Sequence, residues 1–247
     1  MNKGKVIAVV GVDAPSATVK ALEELGFELL LLPRCEQLDA PVSSHADMII
    51  FPFGNKIFLS REYLERFSHT FDRLISYGYE LVACDIELGR TYPQDVVFDL
   101  LMLENSIIGL LERIPNEVRL EAQKMQYSLL NSKQGYSKCS AAVVSDKAII
   151  TSDEHIAAAA TAAGAEVLKI TPDGNHIRLL GYDCGFIGGA SGYFDDTVYF
   201  SGDITKHPDG ARIIDFCAMH GKKVKSLSSD QMTDIGGIFF FTNRNLS

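Results

Sequence analysis

The chain has 247 residues, of which 47% are apolar and 22% are charged, a balance typical of a soluble globular protein. Its formal net charge of −9 disfavours binding to nucleic acids and to anionic membranes, because both need basic surfaces. No apolar run approaches the roughly 20 residues of a membrane-spanning helix, so we expect no contact with membranes.

The cysteines are odd in number and widely spread, without a Cys-x-x-Cys pair or a histidine at zinc-ligand spacing. They are Cys35, Cys84, Cys139, Cys184 and Cys217. This pattern predicts free thiols in a reducing compartment, no metal and no cofactor. The N-terminal apolar run is too short for a signal-peptide core, so we expect a cytoplasmic protein.

The first 33 residues predict a strand, a helix and a second strand. Lys5 to Gly11 is apolar, Pro15 to Leu25 has helical spacing that ends at Gly26, and Phe27 to Leu32 is apolar throughout. Alone, this segment would fit a doubly wound α/β protein. Its first loop, however, lacks the GxGxxG pattern of a dinucleotide-binding turn.

The rest of the chain repeats one order of elements: strand, strand, helix, strand. The first repeat comprises strands His45 to Pro52 and Lys56 to Leu59, helix Arg61 to Tyr77, and strand Tyr79 to Ala83. Later repeats begin with strands at Val96 to Met102, Ser140 to Val144 and Phe186 to Phe194. The predicted helices end at equivalent positions, namely Gly26, Gly78, Gln126, Gly164 and Gly221. A hairpin before each later helix argues against simple βαβ alternation.

The last predicted strand, Asp234 to Thr242, has no helix after it, whereas the first unit lacks its leading strand. If this strand pairs with Lys5 to Gly11, the count is five units. The chain would then be one α/β domain of residues 1–247, a five-bladed pseudo-symmetric ββαβ propeller whose ring is closed by its terminal strands.

Three motifs accompany this repeat. His45-Ala46-Asp47 has a His-x-Asp pattern, and Phe186 to Ala190 has a Gly-Gly step followed by Ala190. The same Gly-Gly step recurs in Asp234 to Thr242. Together with the repeat, these motifs resemble an uncharacterised, divergent branch of the pentein superfamily of guanidino-modifying enzymes. In that family an acid occupies the place of Ala190, and the last strand carries a nucleophilic cysteine where phenylalanines stand here.

The resemblance implies that a substrate lies at the central axis, where the first strand of each unit begins. It implies a small polar, cationic ligand of guanidino or amino-acid type. The residues expected to bind it are Asp47, Lys138, Asp183, Gly188, Gly189 and Asp234. The third unit would contribute Tyr92 or Asp95. His45 and Asp47 would face the same way, because alternate residues of a strand share one side.

Two functions remain open, and the sequence does not decide whether the protein is an enzyme. One is a hydrolase of guanidino C–N bonds, with His45 carrying protons and a relocated cysteine, Cys184 or Cys139, as nucleophile. Lys138 would lower the pKa of the Cys139 thiol. The other is a ring that binds a small ligand without catalysis, since the usual cysteine is missing. No oligomeric state follows from the sequence.

Overall fold

The computed structural model describes residues 6–172 and 174–246, and it places their strands in five sheets of three. In chain order the strands are β1 (Val6–Gly11), β2 (Glu28–Leu32), β3 (Ile50–Phe53), β4 (Lys56–Ser60), β5 (Glu80–Cys84), β6 (Leu101–Leu103), β7 (Ser106–Gly109), β8 (Ser128–Asn131), β9 (Ala141–Ser145), β10 (Ala148–Thr151), β11 (Glu166–Lys169), β12 (Ser191–Phe194), β13 (Thr197–Phe200), β14 (Lys223–Ser226) and β15 (Phe239–Thr242). The α-helices are α1 (Ser16–Glu24), α2 (Ala46–Ile49), α3 (Arg61–Phe67), α4 (Asp72–Ser76), α5 (Asn116–Lys124), α6 (Glu154–Ala162) and α7 (Gly210–Met219).

Each sheet has the same topology, with an antiparallel pair followed by a parallel pair. In four of the sheets a tight turn joins the two antiparallel strands, whereas β1 and β15 pair without one. In all five sheets the helix that follows carries the chain back for the parallel pair. The five-unit ββαβ repeat predicted from the sequence is therefore confirmed, and the doubly wound alternative is wrong. None of the helices in the described ranges is long and apolar enough to cross a membrane.

The first sheet joins the two ends of the chain. β1 pairs antiparallel with β15, with Val6 opposite Thr242 and Val9 opposite Phe239, and it pairs parallel with β2 on its other edge. The predicted pairing of the first and last strands is thus confirmed. Lys5, the predicted start of β1, lies outside the described residues.

The middle strand of each sheet is almost entirely buried, as in β1, β7 and β10, where every residue is buried. These strands are covered by neighbours on both edges and by packing on their faces. Burial on all sides explains their continuous apolar sequences, which show no strand-like alternation.

The five predicted helix-ending positions all adopt left-handed backbone conformations. Gly26, Gly78, Gly164 and Gly221 have φ between 69° and 89°, and Gln126 has φ of 59°. This conformation closes the helix and reverses the chain into the parallel strand. Gln126 is the one residue of the five that is not glycine. Its side chain makes the left-handed conformation more strained than it is for glycine.

Replacing Gln126 with glycine is therefore expected to stabilise the protein by about 1 kcal/mol, since it relieves a left-handed side-chain residue. The melting temperature should rise by roughly 2–4 °C. Gln123→Gly, on an exposed position of α5, is the matched control and should destabilise by about 1 kcal/mol. Thermal unfolding followed by circular dichroism measures both, and equal effects of the two substitutions would contradict the assignment.

Four of the predicted inner strands begin too early. Ala46–Ile49 forms the short helix α2, and residues 96–100, 186–190 and 234–238 precede β6, β12 and β15 as turns and irregular chain. These segments are apolar because they are buried, and a short apolar run does not distinguish a buried turn from a strand. The predicted helix Arg61 to Tyr77 is also interrupted, since a 3₁₀ turn separates α3 from α4.

Candidate functional site

The irregular segments that precede the inner strands converge and bond to each other. The backbone N–H of Asp47 donates to the carbonyl of Gly236 over 3.0 Å. The N–H of Gly189 donates to the Cys139 carbonyl over 2.9 Å, and the Gly189 carbonyl accepts from Gly237 over 2.7 Å. Segments from four units are therefore held together by main-chain hydrogen bonds, which fix the side chains they carry.

The glycines allow this close approach. A β-carbon at Gly188 would overlap the backbone of Lys138, one at Gly189 would overlap the Asp234 carboxylate, and one at Gly236 would overlap His45. Gly188 and Gly189, predicted from the family resemblance to bind a ligand, thus contact other parts of the protein. These two glycines would affect a ligand indirectly, because they leave room for neighbouring side chains to approach the axis.

The first buried pair is His45 and Asp234, whose Nδ1 and Oδ1 atoms lie 3.6 Å apart. The Asp234 carboxylate also accepts the backbone N–H groups of Phe186 over 2.9 Å and Gly236 over 3.0 Å. Burial raises the pKa of Asp234, and the neighbouring imidazole opposes that shift. The Asp234 carboxylate therefore lies close to the His45 ring without a hydrogen bond to Nδ1, and both residues line the same cavity.

The second buried pair is Cys139 and Asp47, with the thiol sulfur 2.9 Å from Oδ2 of the carboxylate. The prediction that His45 and Asp47 lie on one strand and share an orientation is wrong. His45 precedes helix α2, and Asp47 lies within its first turn. The helical turn directs the two side chains to different partners.

Asp99 is a further fully buried acid in this cluster. Its Oδ1 accepts the backbone N–H of Lys138 over 2.5 Å and that of Cys139 over 3.0 Å. Burial and the nearby Asp47 carboxylate raise the pKa of Asp99 well above its usual range. Asp99 was not among the residues predicted from the sequence, although one acid within the apolar run Val96 to Met102 is a usable signal. Asp95, which was predicted, instead accepts a hydrogen bond from the Tyr136 hydroxyl over 2.7 Å.

The electrostatics of Cys139 are opposite to the prediction. Burial and the carboxylates of Asp47, Asp99 and Asp234 raise the pKa of its thiol well above the usual range. The Lys138 ammonium does not offset them, because its Nζ donates to the Gly188 carbonyl over 3.0 Å and lies 5.7 Å from the centre of the Phe239 ring. The thiol is therefore protonated near neutral pH unless a positive charge enters the site.

A cavity of about 270 Å³ opens above this cluster. Its floor contains His45, Cys139 and Asp234, while Asp47 and Asp99 lie behind the floor and do not line it. The walls are apolar and aromatic, formed by Val42, Met48, Tyr136, Leu179, Tyr182 and Phe186. Asp183 and Cys184 also line the cavity, and they are exposed and half-buried respectively.

The structure thus brings together four of the predicted residues, His45, Asp47, Cys139 and Asp234. Asp183 and Cys184 belong to the more accessible lining of the same cavity, and Lys138 lines a different one. Cys35, Cys84 and Cys217 are buried, as predicted for structural cysteines. The pKa values of these three thiols are all raised by burial, which favours the unreactive form.

The cluster also has donors that suit a metal ion. One set is His45, Cys139 and Asp234, and another is Asp47, Asp99 and Cys139, and within each set the donor atoms lie within 4.8 Å of one another. Imidazole, thiolate and carboxylate are the ligands of Zn²⁺ in proteins. The predicted absence of a metal therefore stays a prediction, which metal analysis of the purified protein can test.

Asp99→Asn is expected to stabilise the ligand-free protein at neutral pH by roughly 1–3 kcal/mol, the cost of a poorly solvated buried polar group. A raised pKa means that folded Asp99 keeps its proton when the unfolded chain has lost it, so stability falls as pH rises above about 4. Asparagine keeps an oxygen that can accept the backbone N–H groups of Lys138 and Cys139. Because asparagine does not ionise, it removes this pH dependence of the stability.

Urea unfolding from pH 4 to 8 measures this effect. The stability gain of Asp99→Asn should grow with pH, whereas Asp215→Asn, at an exposed position of α7, should show little change. A gain that is constant with pH, or a loss that grows with it, would contradict a buried and protonated Asp99.

Solved structures of guanidino-modifying enzymes share this architecture. Dimethylarginine dimethylaminohydrolase (DDAH) from Pseudomonas aeruginosa is 12% identical with a TM-score of 0.57, and the match covers 96% of this chain and 99% of that one. SxtG, an amidinotransferase from Microseira wollei, is 11% identical with a TM-score of 0.57, over 98% of this chain and 95% of that one. The agmatine deiminase of C. jejuni is 10% identical with a TM-score of 0.52, over 92% and 87% of the two chains.

This likeness defines the fold: the chain has the pentein fold, as the repeat and the sequence motifs predicted. No curated protein matches it significantly in sequence. The chain belongs to a family of unknown function, DUF6873, whose model matches residues 9–239.

Proposed function

We propose that this protein binds a small cationic ligand of the guanidinium or amidinium type in the cavity above His45, Cys139 and Asp234. The observation that carries the proposal is the convergence of three carboxylates at and behind the floor of an apolar cavity. Asp234 lines the floor, and Asp47 and Asp99 lie directly behind it. Their side chains are almost completely buried, with at most 3% of each residue exposed.

A cation is the ligand that this charge distribution favours. Burying several carboxylates without a compensating charge is costly, and the structure reduces that cost with hydrogen bonds and raised pKa values. A planar guanidinium offers several N–H donors in one plane and forms paired hydrogen bonds with carboxylates. The aromatic walls at Tyr136 and Phe186 suit the apolar part of such a ligand and its flat head group.

The solved structures that share the fold support the choice of ligand class. DDAH from Pseudomonas aeruginosa was crystallised as a cysteine-to-serine mutant in complex with citrulline, and the dimethylarginine dimethylaminohydrolase of another structure carries S-methyl-L-thiocitrulline as an adduct. Citrulline and thiocitrulline have planar head groups of the same shape as a guanidinium. We propose that a planar head group of this kind binds in the cavity, and we propose nothing about the rest of those molecules.

Isothermal titration calorimetry with matched probes tests the proposal. Methylguanidinium, agmatine and arginine present the cation with different tails, whereas methylurea has nearly the same shape without charge. We expect at least one of the cations to bind with a Kd below 1 mM and methylurea to bind at least tenfold more weakly, about 1.4 kcal/mol. Equal binding of methylurea and methylguanidinium, or no binding by any cation, would overturn the proposal.

A second candidate function is hydrolysis of the bound head group, favoured by the position of Cys139. Its sulfur shares the cavity floor with the His45 ring and Asp234, all within 4.8 Å. A bound cation would offset the carboxylates and lower the pKa of the thiol. The Cys139 thiol would pass its proton to His45, and the thiolate would form a C–S bond to the guanidinium carbon. The C–N bond would then break, with the amine leaving after taking that proton from His45. Water would finally cleave the C–S bond and regenerate the thiol.

Intact-protein mass spectrometry after incubation with each cation tests this candidate. A covalent adduct, or release of an amine, should occur with the native protein and with Cys184→Ser, and should be lost in Cys139→Ser. Adduct formation that survives in Cys139→Ser but not in Cys184→Ser would assign the chemistry to the rim cysteine. Absence of both adduct and turnover, with ligand binding intact, would leave binding as the function.

We also propose that residues 1–247 form one domain. The support is the first sheet, in which β15, from the C-terminal end of the chain, pairs with β1. A single cooperative unfolding transition, seen at the same urea concentration by tyrosine fluorescence and by circular dichroism, is the expected result. Two separated transitions would contradict it.

A further inference from the structure

A second cavity, of about 230 Å³, lies among the inner strands themselves. It shares no lining residue with the first cavity. Each of the five inner strands contributes to it, through Phe51, Met102, Val143, Tyr193 and Phe239. The first cavity is lined by residues that precede these strands, so the two cavities are separated by the segment that carries Lys138 and Cys139.

Lys138 is the basic residue on the lining of this largely apolar cavity. It is half-buried, and its Nζ donates to the Gly188 carbonyl over 3.0 Å. Across residues 6–172 and 174–246, no carboxylate forms an ion pair with it, whereas Lys56, Lys147 and Lys223 each have an acidic partner. An ammonium has three N–H donors, so the carbonyl leaves two for another acceptor.

The acidic groups near Lys138 do not neutralise it. Asp146 is the acid on the described lining and is exposed to solvent. Asp99 bonds to the backbone N–H of Lys138 and forms no ion pair with its ammonium, whose Nζ donates to the Gly188 carbonyl. A partly desolvated ammonium without a paired anion attracts negative charge more strongly than one in water.

We propose that this cavity binds a small anion with a planar apolar body, such as an aromatic monocarboxylate, whose charged group meets Lys138. Tyr193 and Phe239 line the cavity and provide aromatic surface for a flat ligand. The Lys138 ammonium lies 5.7 Å from the centre of the Phe239 ring, so a carboxylate bonded to it would bring the attached ring beside Phe239. The site is independent of the cation site, and it takes a ligand of opposite charge.

Three naphthalene probes of nearly equal shape test this inference by calorimetry: 2-naphthoate, neutral 2-naphthamide and the 2-naphthylmethylammonium cation. The carboxylate is expected to bind at least tenfold more tightly than the amide, and the cation most weakly. Lys138→Met should reduce 2-naphthoate affinity at least tenfold with little change for the amide. Lys147→Met, which removes an exposed lysine from the neighbouring turn, should leave both unchanged.

Val143→Phe fills the cavity from β9 and should weaken all probes that bind there, which provides a second variant if Lys138→Met does not fold. Asp234→Asn should leave 2-naphthoate binding intact, so failure of this inference is distinguishable from failure of the cation site. No detectable binding of 2-naphthoate at 1 mM would overturn the inference. Affinity unchanged by both Lys138→Met and Val143→Phe would also overturn it.

Discussion

Replacing Asp234 with asparagine is expected to weaken the binding of a guanidinium ligand by roughly 2–4 kcal/mol, about 30- to 700-fold in Kd. Asp234 is the carboxylate that both lines the cavity and contacts His45. Asparagine has almost the same shape but no charge. Loss of the charge removes the strongest interaction with the cation and leaves the imidazole of His45 without its acidic partner.

The same substitution has a smaller cost in stability. Asparagine has one acceptor oxygen, whereas the carboxylate accepts the N–H groups of both Phe186 and Gly236. One N–H therefore loses its partner, which costs about 1–3 kcal/mol. Titrations should be made well below the melting temperature of the variant, so that only folded protein is measured.

Asp215→Asn makes the same change of charge at an exposed position of α7 and is the matched control for binding. It should leave Kd unchanged within twofold, apart from the weak long-range effect of net charge. A folded Asp234→Asn protein that binds methylguanidinium as tightly as the native protein would remove Asp234 from the site.

Replacing Gly236 with alanine is expected to destabilise the protein by roughly 3 kcal/mol or more. Gly236 has φ of +73°, and an added β-carbon would overlap the Cα and Cβ atoms of His45. The left-handed backbone alone costs about 1–2 kcal/mol for a residue with a side chain. The overlap with His45 adds the cost of overpacking, because a neighbouring backbone cannot move aside cheaply.

Gly54→Ala separates these two contributions. Gly54 has φ of +64°, and its added β-carbon would meet nothing within 4 Å. The free energy of unfolding of Gly54→Ala, measured with urea, should fall only by the 1–2 kcal/mol that backbone strain costs. Equal losses at Gly54 and Gly236 would show that the axis is not tightly packed. Gly236→Ala should also displace His45 and weaken ligand binding, whereas Gly54→Ala should not.

The repeat could be predicted from the sequence because its signals are local. Each helix ends at a residue that must adopt a left-handed conformation, and glycine fills four of those five positions. The fifth, Gln126, was identified by its spacing alone and takes the same conformation. The pairing of β1 with β15 followed from counting strands, since one unit lacked a leading strand and the last strand lacked a helix.

The site was less predictable because its geometry depends on how segments distant in sequence meet. Cys139 and Asp47 are 92 positions apart, and nothing in either local sequence indicates that they bond to each other. The helical turn at Ala46–Ile49 separated His45 from Asp47, and only the fold shows that Asp234 is the partner of His45. The charge on Lys138 was expected to act on Cys139, its neighbour in sequence. Its side chain instead lines the other cavity.

A crystal structure of the protein grown with methylguanidinium or agmatine tests the central claim most directly. The predicted result is a planar head group on the cavity floor, with its N–H groups on the Asp234 carboxylate and its carbon close to the Cys139 sulfur. Density for the ligand outside this cavity, or a metal ion bound by His45, Cys139 and Asp234 in its place, would contradict the assignment of a guanidinium site.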